Sequence, residues 1–122
     1  MPMKLRTGCD VEEVARFEAL LQKEYFCKRV FTAAELEHIV KSGHPTQSAA
    51  GIFCAKEAMA KALGRGLFGL LPQELGVVWD AQGAPLPLLT GSAEAQYGHL
   101  QLAISISHTD TTAFATCVAM EE

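Results

Sequence analysis

The sequence predicts an α+β fold, in which a mainly antiparallel sheet packs against one long central helix. After a first short strand, helix signals dominate up to Gly64, and runs with strand-like alternation follow. Helices first and strands later are typical of an α+β arrangement rather than of a parallel α/β sheet. A chain of 122 residues can build one hydrophobic core but hardly two. We therefore expect one domain over 1–122.

The N-terminal region is predicted to form a short strand and then a helix. The segment Lys4–Cys9 suits a strand, and Asp10 stands where its side chain would cap the element that follows. That helix is expected to run from Val11 to about Lys23. Its core stripe would contain Val14, Phe17 and Leu21.

Two further helices are predicted before the chain turns to strands. Thr32, with Glu35 three residues later, forms the capping-box pattern that begins a helix. We expect this helix to end at Gly43-His44-Pro45. The central helix should run from about Thr46 to Leu63 and end at the Gly64-Arg65-Gly66 turn, because glycine is the usual residue past a helix C-terminus.

The second half of the chain predicts a hairpin, a short helix and two longer strands. Leu75–Trp79 and a run around Leu86–Leu89 flank a polar turn and predict a hairpin that its prolines weaken. A short helix is expected at Ser92–Tyr97. Leu102–Ser107 and Ala113–Val118 alternate as strands should, and a polar segment from His108 to Thr112 joins them.

Composition limits the class of protein. With 49% hydrophobic and 20% charged residues, the sequence is that of an ordinary soluble globular protein. No apolar run approaches a membrane span and the N-terminus lacks the apolar stretch of a signal peptide, so we expect a cytoplasmic protein without membrane contact. No dense basic stripe with interleaved aromatics is present, which argues against nucleic acid as a partner.

The four cysteines are widely spaced and include no Cys-x-x-Cys pair. This spacing argues against a zinc site and, in a cytosolic chain, against a disulfide framework. We interpret Cys9, Cys27, Cys54 and Cys117 as small apolar residues.

Charge is distributed unevenly along the chain. All ten Lys and Arg residues lie at or before Arg65, where eight acids oppose them and leave a net charge of about +2. The remainder carries six acids and no base, hence −6. An anionic ligand or an acidic partner should therefore meet the first half.

Charged residues interrupt the otherwise apolar central helix. Lys56, Glu57 and Lys61 are the only charges between Ser48 and Gly64. Glu57 and Lys61 are four residues apart and share one helix face, so a simple surface ion pair is one interpretation. Their neighbours are small and apolar, however, and charged groups in such surroundings need partners. The second interpretation is therefore a ligand site at this face.

Two more polar features lie at predicted strand ends. Asp10 follows the first strand, where it is either a helix cap or a site residue, and His108 leaves a late strand, where it is either solvated or functional. Neither feature carries a function alone. Together with Glu57 and Lys61 they form a pattern spread over the whole chain.

The pattern resembles the 4′-phosphopantetheinyl transferase superfamily, and the short length points to its holo-acyl-carrier-protein synthase branch. The resemblance runs from about Arg6 to Val118. It is carried by Gly8-Cys9-Asp10, Phe31-Thr32-x-x-Glu35-Leu36, Phe53-x-x-Lys56-Glu57-Ala58-x-x-Lys61, Gly64-x-Gly66 and Ser105-Ile106-Ser107-His108-Thr109.

The resemblance implies a reaction of fatty acid biosynthesis and lipid metabolism. The 4′-phosphopantetheine arm of coenzyme A would move to a serine of apo acyl carrier protein, leaving adenosine 3′,5′-bisphosphate, with Mg²⁺ as cofactor. Asp10 and Glu57 would be metal ligands, since Mg²⁺ prefers hard oxygen donors. Glu12 is either a third ligand or a helix-surface acid. Lys61 would be the third catalytic residue, as a charge stabiliser or as a base with a lowered pKa.

The resemblance also implies binding surfaces. Coenzyme A would contact Lys56, Lys61, Gly64, Arg65, Gly66, His108 and Thr109. The acidic carrier protein would meet Arg16, Lys23, Lys28 and Arg29. Members of this branch form homotrimers with active sites where subunits meet, and the apolar segment Leu100–Val118 would contribute to that interface.

One departure from the family pattern keeps alternatives open. Ile52 stands where the short branch frequently has Arg, so a phosphate or adenine contact is expected to be missing. A catalytically weak or inactive relative that binds carrier protein or coenzyme A is the main alternative. An unrelated domain, with Asp10 as a cap and Glu57–Lys61 as a salt bridge, is the third.

Overall fold

The computed structural model describes residues 4–121 and shows the predicted α+β fold. Its helices and strands follow in the order β1 (Lys4–Glu13), α1 (Arg16–Leu20), α2 (Glu24–Val30), α3 (Ala33–Lys41), α4 (Pro45–Ala62), β2 (Leu75–Trp79), β3 (Pro85–Leu89), α5 (Gly91–Tyr97), β4 (Gln101–His108) and β5 (Thr112–Glu121).

Both sheets are antiparallel, as predicted. One has three strands in the order β1-β5-β4, and the other is the β2-β3 hairpin. In the larger sheet Asp10 pairs with Ala115, and Ala113 pairs with Glu12 on one side and with His108 on the other. Paired residues point to the same face of a sheet, so the side chains of Glu12 and His108 share the face of Ala113.

Helix α4 lies across that face of the sheet and forms the centre of the core. From Ala49 to Ala60 every residue except Glu57 is buried. A helix that is buried on nearly all sides must be apolar all round, which explains its alanines and its lack of a polar face. The small side chains also let strands approach its backbone closely.

The helix predicted from Val11 to Lys23 is wrong in its first part. Strand β1 continues to Glu13, because β5 is long enough to pair with all ten residues of β1. Asp10 is therefore a strand residue and not a helix cap. Within the predicted span only α1, of five residues, is helical, and α2, which follows it at Glu24–Val30, was not predicted.

Most other predicted elements are confirmed with small shifts at their ends. Thr32 and Glu35 form the reciprocal capping box at the start of α3. Gly64 adopts a positive φ of 77° just past the end of α4. Cys54 and Cys117 are buried in the core, whereas Cys9 is exposed. None of the helices between Lys4 and Glu121 is both long and apolar enough to cross a membrane.

Candidate active site at the crossing of β1 and α4

The site begins with a close contact between the backbones of β1 and α4. A Cβ atom added to Gly8 would lie 2.1 Å from Ala58 O and 2.7 Å from Ala62 N. Only glycine allows this approach, because any other side chain would overlap the helix backbone. The crossing brings Asp10, two residues further along the strand, beside the helix turn that carries Glu57 and Lys61.

Asp10 and Lys61 meet across this crossing. Lys61 Nζ donates a hydrogen bond to Cys9 O at 3.0 Å and lies 3.7 Å from Asp10 Oδ1. The Asp10 side chain is only 11% exposed. Its Oδ2 atom is buried and has no hydrogen-bond partner among residues 4–121. A buried carboxylate oxygen without a partner is costly, so this atom is suited to a ligand.

Glu57 and Glu12 add negative charge beside Asp10. The pKa of Glu57 is raised, first by burial and then by the charge of Glu12, while Lys61 and Arg16 oppose this shift. The pKa of Glu12 is also raised, by burial and then by hydrogen bonding to Asp10 and its charge; Arg16 acts in the opposite direction. Glu12 thus interacts with Asp10 on one side and with Glu57 on the other, and this accumulation of negative charge favours binding of a cation.

The donor set fits magnesium. No three His, Cys, Asp or Glu side chains converge in a metal-binding geometry in the described part of the chain. Mg²⁺, however, is usually held by one or two protein carboxylates together with phosphate and water oxygens. Asp10 and Glu57 provide two hard oxygen donors, and the partnerless Asp10 Oδ2 is one of them.

The structure places Lys56 away from these carboxylates, in the core. It is fully buried, and its Nζ donates to Glu35 Oε1 at 2.8 Å, to Pro72 O at 2.9 Å and to Leu75 O at 3.1 Å. All three ammonium protons are used, which leaves none for a phosphate. Burial lowers the pKa of Lys56 and the charge of Glu35 opposes that shift. The prediction that Lys56 binds coenzyme A is corrected accordingly, and we assign it to the core.

Sequence reasoning missed the partner of Lys56. Glu35 is fully buried, and besides Lys56 it accepts hydrogen bonds from Thr32 N at 2.9 Å and from Val77 N at 2.7 Å. The capping box identified one of these bonds. Nothing in the local pattern indicated that the same carboxylate also faces the core, because its other partners lie far along the chain.

Arg65 connects the turn after α4 to α5 and to the segment that follows the turn. Arg65 Nη1 donates to Tyr97 Oη at 3.1 Å, and Nη2 donates to Gly69 O at 2.9 Å. Apart from each glycine and its two chain neighbours, no atom of residues 4–121 lies within 4 Å of a Cβ built on Gly64 or on Gly66. The turn therefore has an open surface, and Arg65 supports it from the side of α5.

His108 lies apart from the carboxylates of its own chain. It is exposed at the end of β4, with Nδ1 3.1 Å from Thr109 O, and its ring centroid is 6.2 Å from that of His44. Two strand spacings separate the backbones of His108 and Glu12, about 10 Å. The chain brings Asp10, Glu57 and Lys61 together, but His108 and Thr109 remain at a distance.

The predicted docking residues do not form one continuous cluster. Arg16 pairs with Glu12, and its guanidinium lies 5.6 Å from the Phe17 ring centroid and 5.7 Å from that of Phe53. Lys28 and Arg29 line a separate groove of about 660 Å³ with exposed Phe68 and Leu71. Lys23 is exposed beside α2.

Comparisons with known proteins agree with this architecture. The family model of the 4′-phosphopantetheinyl transferase superfamily matches residues 6–117. The holo-acyl-carrier-protein synthase of Caldanaerobacter subterraneus subsp. tengcongensis is 34% identical over 122 residues, covering 97% of this chain and 96% of the relative. The holo-acyl-carrier-protein synthase of Caldicellulosiruptor bescii is 37% identical over 120 residues, which cover 96% of this chain and 98% of that relative.

A solved structure shows the same fold. The Chronobacterium ammoniagenes ACPS–CoA complex has a TM-score of 0.83 against this chain at 26% identity, with 98% of each chain covered. The predicted family and the prediction of an enzyme are thereby confirmed. The chain belongs to the 4′-phosphopantetheinyl transferase superfamily, in its holo-acyl-carrier-protein synthase branch.

Proposed function

We propose that this chain transfers the 4′-phosphopantetheine arm of coenzyme A to a serine hydroxyl of an apo acyl carrier protein, with release of adenosine 3′,5′-bisphosphate. The convergence of Asp10, Glu57 and Lys61 at the crossing of β1 and α4 is the observation that carries the proposal. Relatives named holo-acyl-carrier-protein synthase and a relative's complex with coenzyme A support it.

The proposed metal is Mg²⁺, held by Asp10 and Glu57. When bound, it would neutralise charge on the transferred phosphoryl group. Asp10 Oδ2 supports this assignment because it is a buried anionic oxygen without a hydrogen-bond partner in the part of the chain that the structure describes. The raised pKa of Glu57 supports it as well, since a nearby cation would relieve the repulsion from Glu12.

Lys61 is proposed to stabilise negative charge rather than to remove a proton. Its Nζ donates to Cys9 O and faces the Asp10 carboxylate, so it acts as a cation in this arrangement. About half of the side chain is exposed (53%), which leaves it accessible to a pyrophosphate oxygen. In the proposed reaction the serine oxygen bonds to the phosphorus on the pantetheine side of the pyrophosphate, and the bond from that phosphorus to the bridging oxygen breaks. Adenosine 3′,5′-bisphosphate leaves with that oxygen, and the serine proton passes to solvent.

The ligand-binding surface is proposed to include the open turn Gly64–Gly66 and residues His108 and Thr109. Because His108 lies about 10 Å from Glu12 in its own chain, we propose that a second copy brings it to the carboxylates. The outer face of the larger sheet supports a homotrimer. Leu5, Val11, Phe114 and Val118 are exposed there, and large apolar side chains on one sheet face favour burial against another copy.

The acidic carrier protein is proposed to dock on the helices α1 and α2. Arg16, Lys23, Lys28 and Arg29 provide the positive charge. The groove between α2 and residues 68–74 adds exposed apolar surface next to Lys28 and Arg29. Charges at such a rim mainly affect the rate of association and its salt dependence.

Intact-mass spectrometry tests the proposed activity. The protein is incubated with coenzyme A, Mg²⁺ and a panel of apo carrier proteins, and the expected result is a mass increase equal to phosphopantetheine on at least one carrier. If a demonstrably folded protein modifies no carrier, the proposal is wrong.

An inert binding module is the second candidate. It is favoured by Ile52, a buried aliphatic side chain that cannot make the polar contact of the Arg frequent in the family pattern at this position. Binding of coenzyme A or of a carrier without any mass change on the carrier would support this alternative.

A further inference from the structure

Glu12 lies between Arg16, which attracts its carboxylate, and the carboxylate of Asp10, which repels it unless a cation lies between them. It follows Asp10 by two residues on β1, so the two side chains point to the same face of the sheet, toward α4. Its side chain is only 15% exposed, and its Oε1 accepts a hydrogen bond from Arg16 Nη1. A carboxylate in this position is within reach of the acidic site on one side and of Arg16 on the other.

Arg16 is more accessible than the acid that it holds. Its side chain is 52% exposed, and its guanidinium lies over the rings of Phe17 and Phe53. Among the four basic residues assigned to carrier docking, Arg16 is the one that pairs with an acid of the site. Lys28 pairs with Glu24, and Arg29 donates to Tyr25 Oη.

We propose that Arg16 and the divalent cation compete for Glu12, so that Arg16 is a positioning residue that decides whether Glu12 joins Asp10 and Glu57 as a third oxygen donor. The inference rests on the proposed function, because the metal and the acidic carrier belong to it. While Arg16 holds Glu12, the metal has two protein carboxylates. When an acidic group of a partner takes up Arg16, Glu12 becomes available.

Two physical points support the competition. A guanidinium and a divalent cation repel each other, so both do not bind one carboxylate equally well. Arg16 also contacts Glu12 directly, through the hydrogen bond from Nη1 to Oε1, so Glu12 must give up this bond before it can turn to a cation. Linkage is reciprocal: a partner that withdraws Arg16 tightens metal binding, and bound metal releases Arg16 to the partner to the same extent.

Equilibrium binding of Mn²⁺, followed by electron paramagnetic resonance with saturating coenzyme A, tests the inference without measuring turnover. The proteins compared are the wild type, Arg16→Gln, Glu12→Gln and the double variant. Arg6→Gln is the matched control, because Arg6 is also exposed and pairs with a glutamate, Glu121, at 3.5 Å.

We expect Arg16→Gln to bind Mn²⁺ about two- to fivefold more tightly, the range for losing a partly exposed ion pair as competitor. Glu12→Gln should bind it more weakly than Arg16→Gln. Adding Arg16→Gln to Glu12→Gln should change nothing, because the competed group is gone. Arg6→Gln should match the wild type.

Three outcomes would contradict the inference. Unchanged affinity in Arg16→Gln would show that no competition exists. An equal gain from Arg16→Gln in the Glu12→Gln background would show a general charge effect instead. Wild type that binds no Mn²⁺ would overturn the metal assignment of the proposed function together with the inference, whereas the first two outcomes leave that assignment intact.

Discussion

Glu57 is partly buried, has a raised pKa and is one of the two proposed metal ligands. Between Ala49 and Ala60 it is the one residue that is only partly buried. Its neighbour Lys56 is buried completely. Adjacent helix positions point about 100° apart. One charge of the pair therefore faces the site and the other faces the core, although the sequence presents them side by side.

Glu57→Gln is expected to lose transfer activity by about 100-fold or more while the protein still folds, because even residues that only support a metal ligand change activity by about 10- to 100-fold. The rate of carrier modification by intact mass and the circular-dichroism spectrum check this. Glu37→Gln is a control, since Glu37 pairs with Lys41 on an exposed helix surface. Full activity in Glu57→Gln would show that the metal assignment is wrong.

The same substitution should stabilise the metal-free protein at neutral pH. The pKa of Glu57 is raised by burial, so the folded state holds its proton more tightly than the unfolded state does. Stability from this group is present at low pH and is lost as pH rises through the folded-state pKa. Because Gln cannot ionise, Glu57→Gln does not lose this stability as the pH rises.

Urea denaturation between pH 3 and pH 8 measures this effect. The free energy of unfolding of the variant should exceed that of the wild type at pH 7. The two values should converge near the ordinary glutamate pKa of about 4.3. A variant less stable than the wild type across the range would show that the Glu57 carboxylate is favourably paired in the folded protein.

At the scale of elements, the Glu35–Lys56 pair joins parts of the fold that are far apart in sequence. Through it, the start of α3, the middle of α4, the turn before β2 and β2 itself share one set of hydrogen bonds. Every polar atom of the pair that can bond is engaged. Removing one member would leave the other charge buried without compensation.

Lys56→Met should therefore lower the free energy of unfolding by about 3–5 kcal/mol, whereas Glu35→Gln with Lys56→Met should recover part of that loss. Chemical denaturation measures both values. Affinity for coenzyme A, measured by calorimetry on the folded double variant, should be close to that of the wild type. A large loss of affinity for coenzyme A that persists in the double variant would show that Lys56 contributes to binding coenzyme A.

The elements also show which kinds of prediction succeed. The capping box at Thr32, the long α4 and the β2-β3 hairpin depend on neighbouring residues, and the sequence pattern predicted each of them. The extension of β1 through Asp10 depends on β5, about a hundred residues later, so local pattern favoured a helix cap instead. The Asp10–Lys61 contact became predictable only through the family motifs.

At the scale of the whole molecule, we propose that residues 1–122 form one domain that functions as a trimer. The outer face of the β1-β5-β4 sheet supports this proposal, because four large apolar side chains, Leu5, Val11, Phe114 and Val118, are exposed on it. Which residues of two copies meet cannot be derived from one sequence, since contacts between chains impose no periodicity on it.

Val118→Lys should shift the protein from trimer toward monomer, because a charge placed on this face would be desolvated on association. Light scattering coupled to size-exclusion chromatography measures the mass. Val40→Lys is the matched control, since Val40 is exposed on α3, away from the sheet. A monomeric wild type, or a Val118→Lys protein that remains trimeric, would contradict the proposed interface.

The uneven sizes of the helices have a consequence for local opening. Glu57 belongs to an 18-residue helix surrounded by core, whereas Arg16 belongs to a helix of five residues and Lys28 and Arg29 to one of seven. Short helices with exposed backbone open at low free-energy cost, while central ones exchange their amide protons only on global unfolding. We therefore expect the proposed docking surface to open locally and adapt to a bound carrier more easily than the helix that carries Glu57.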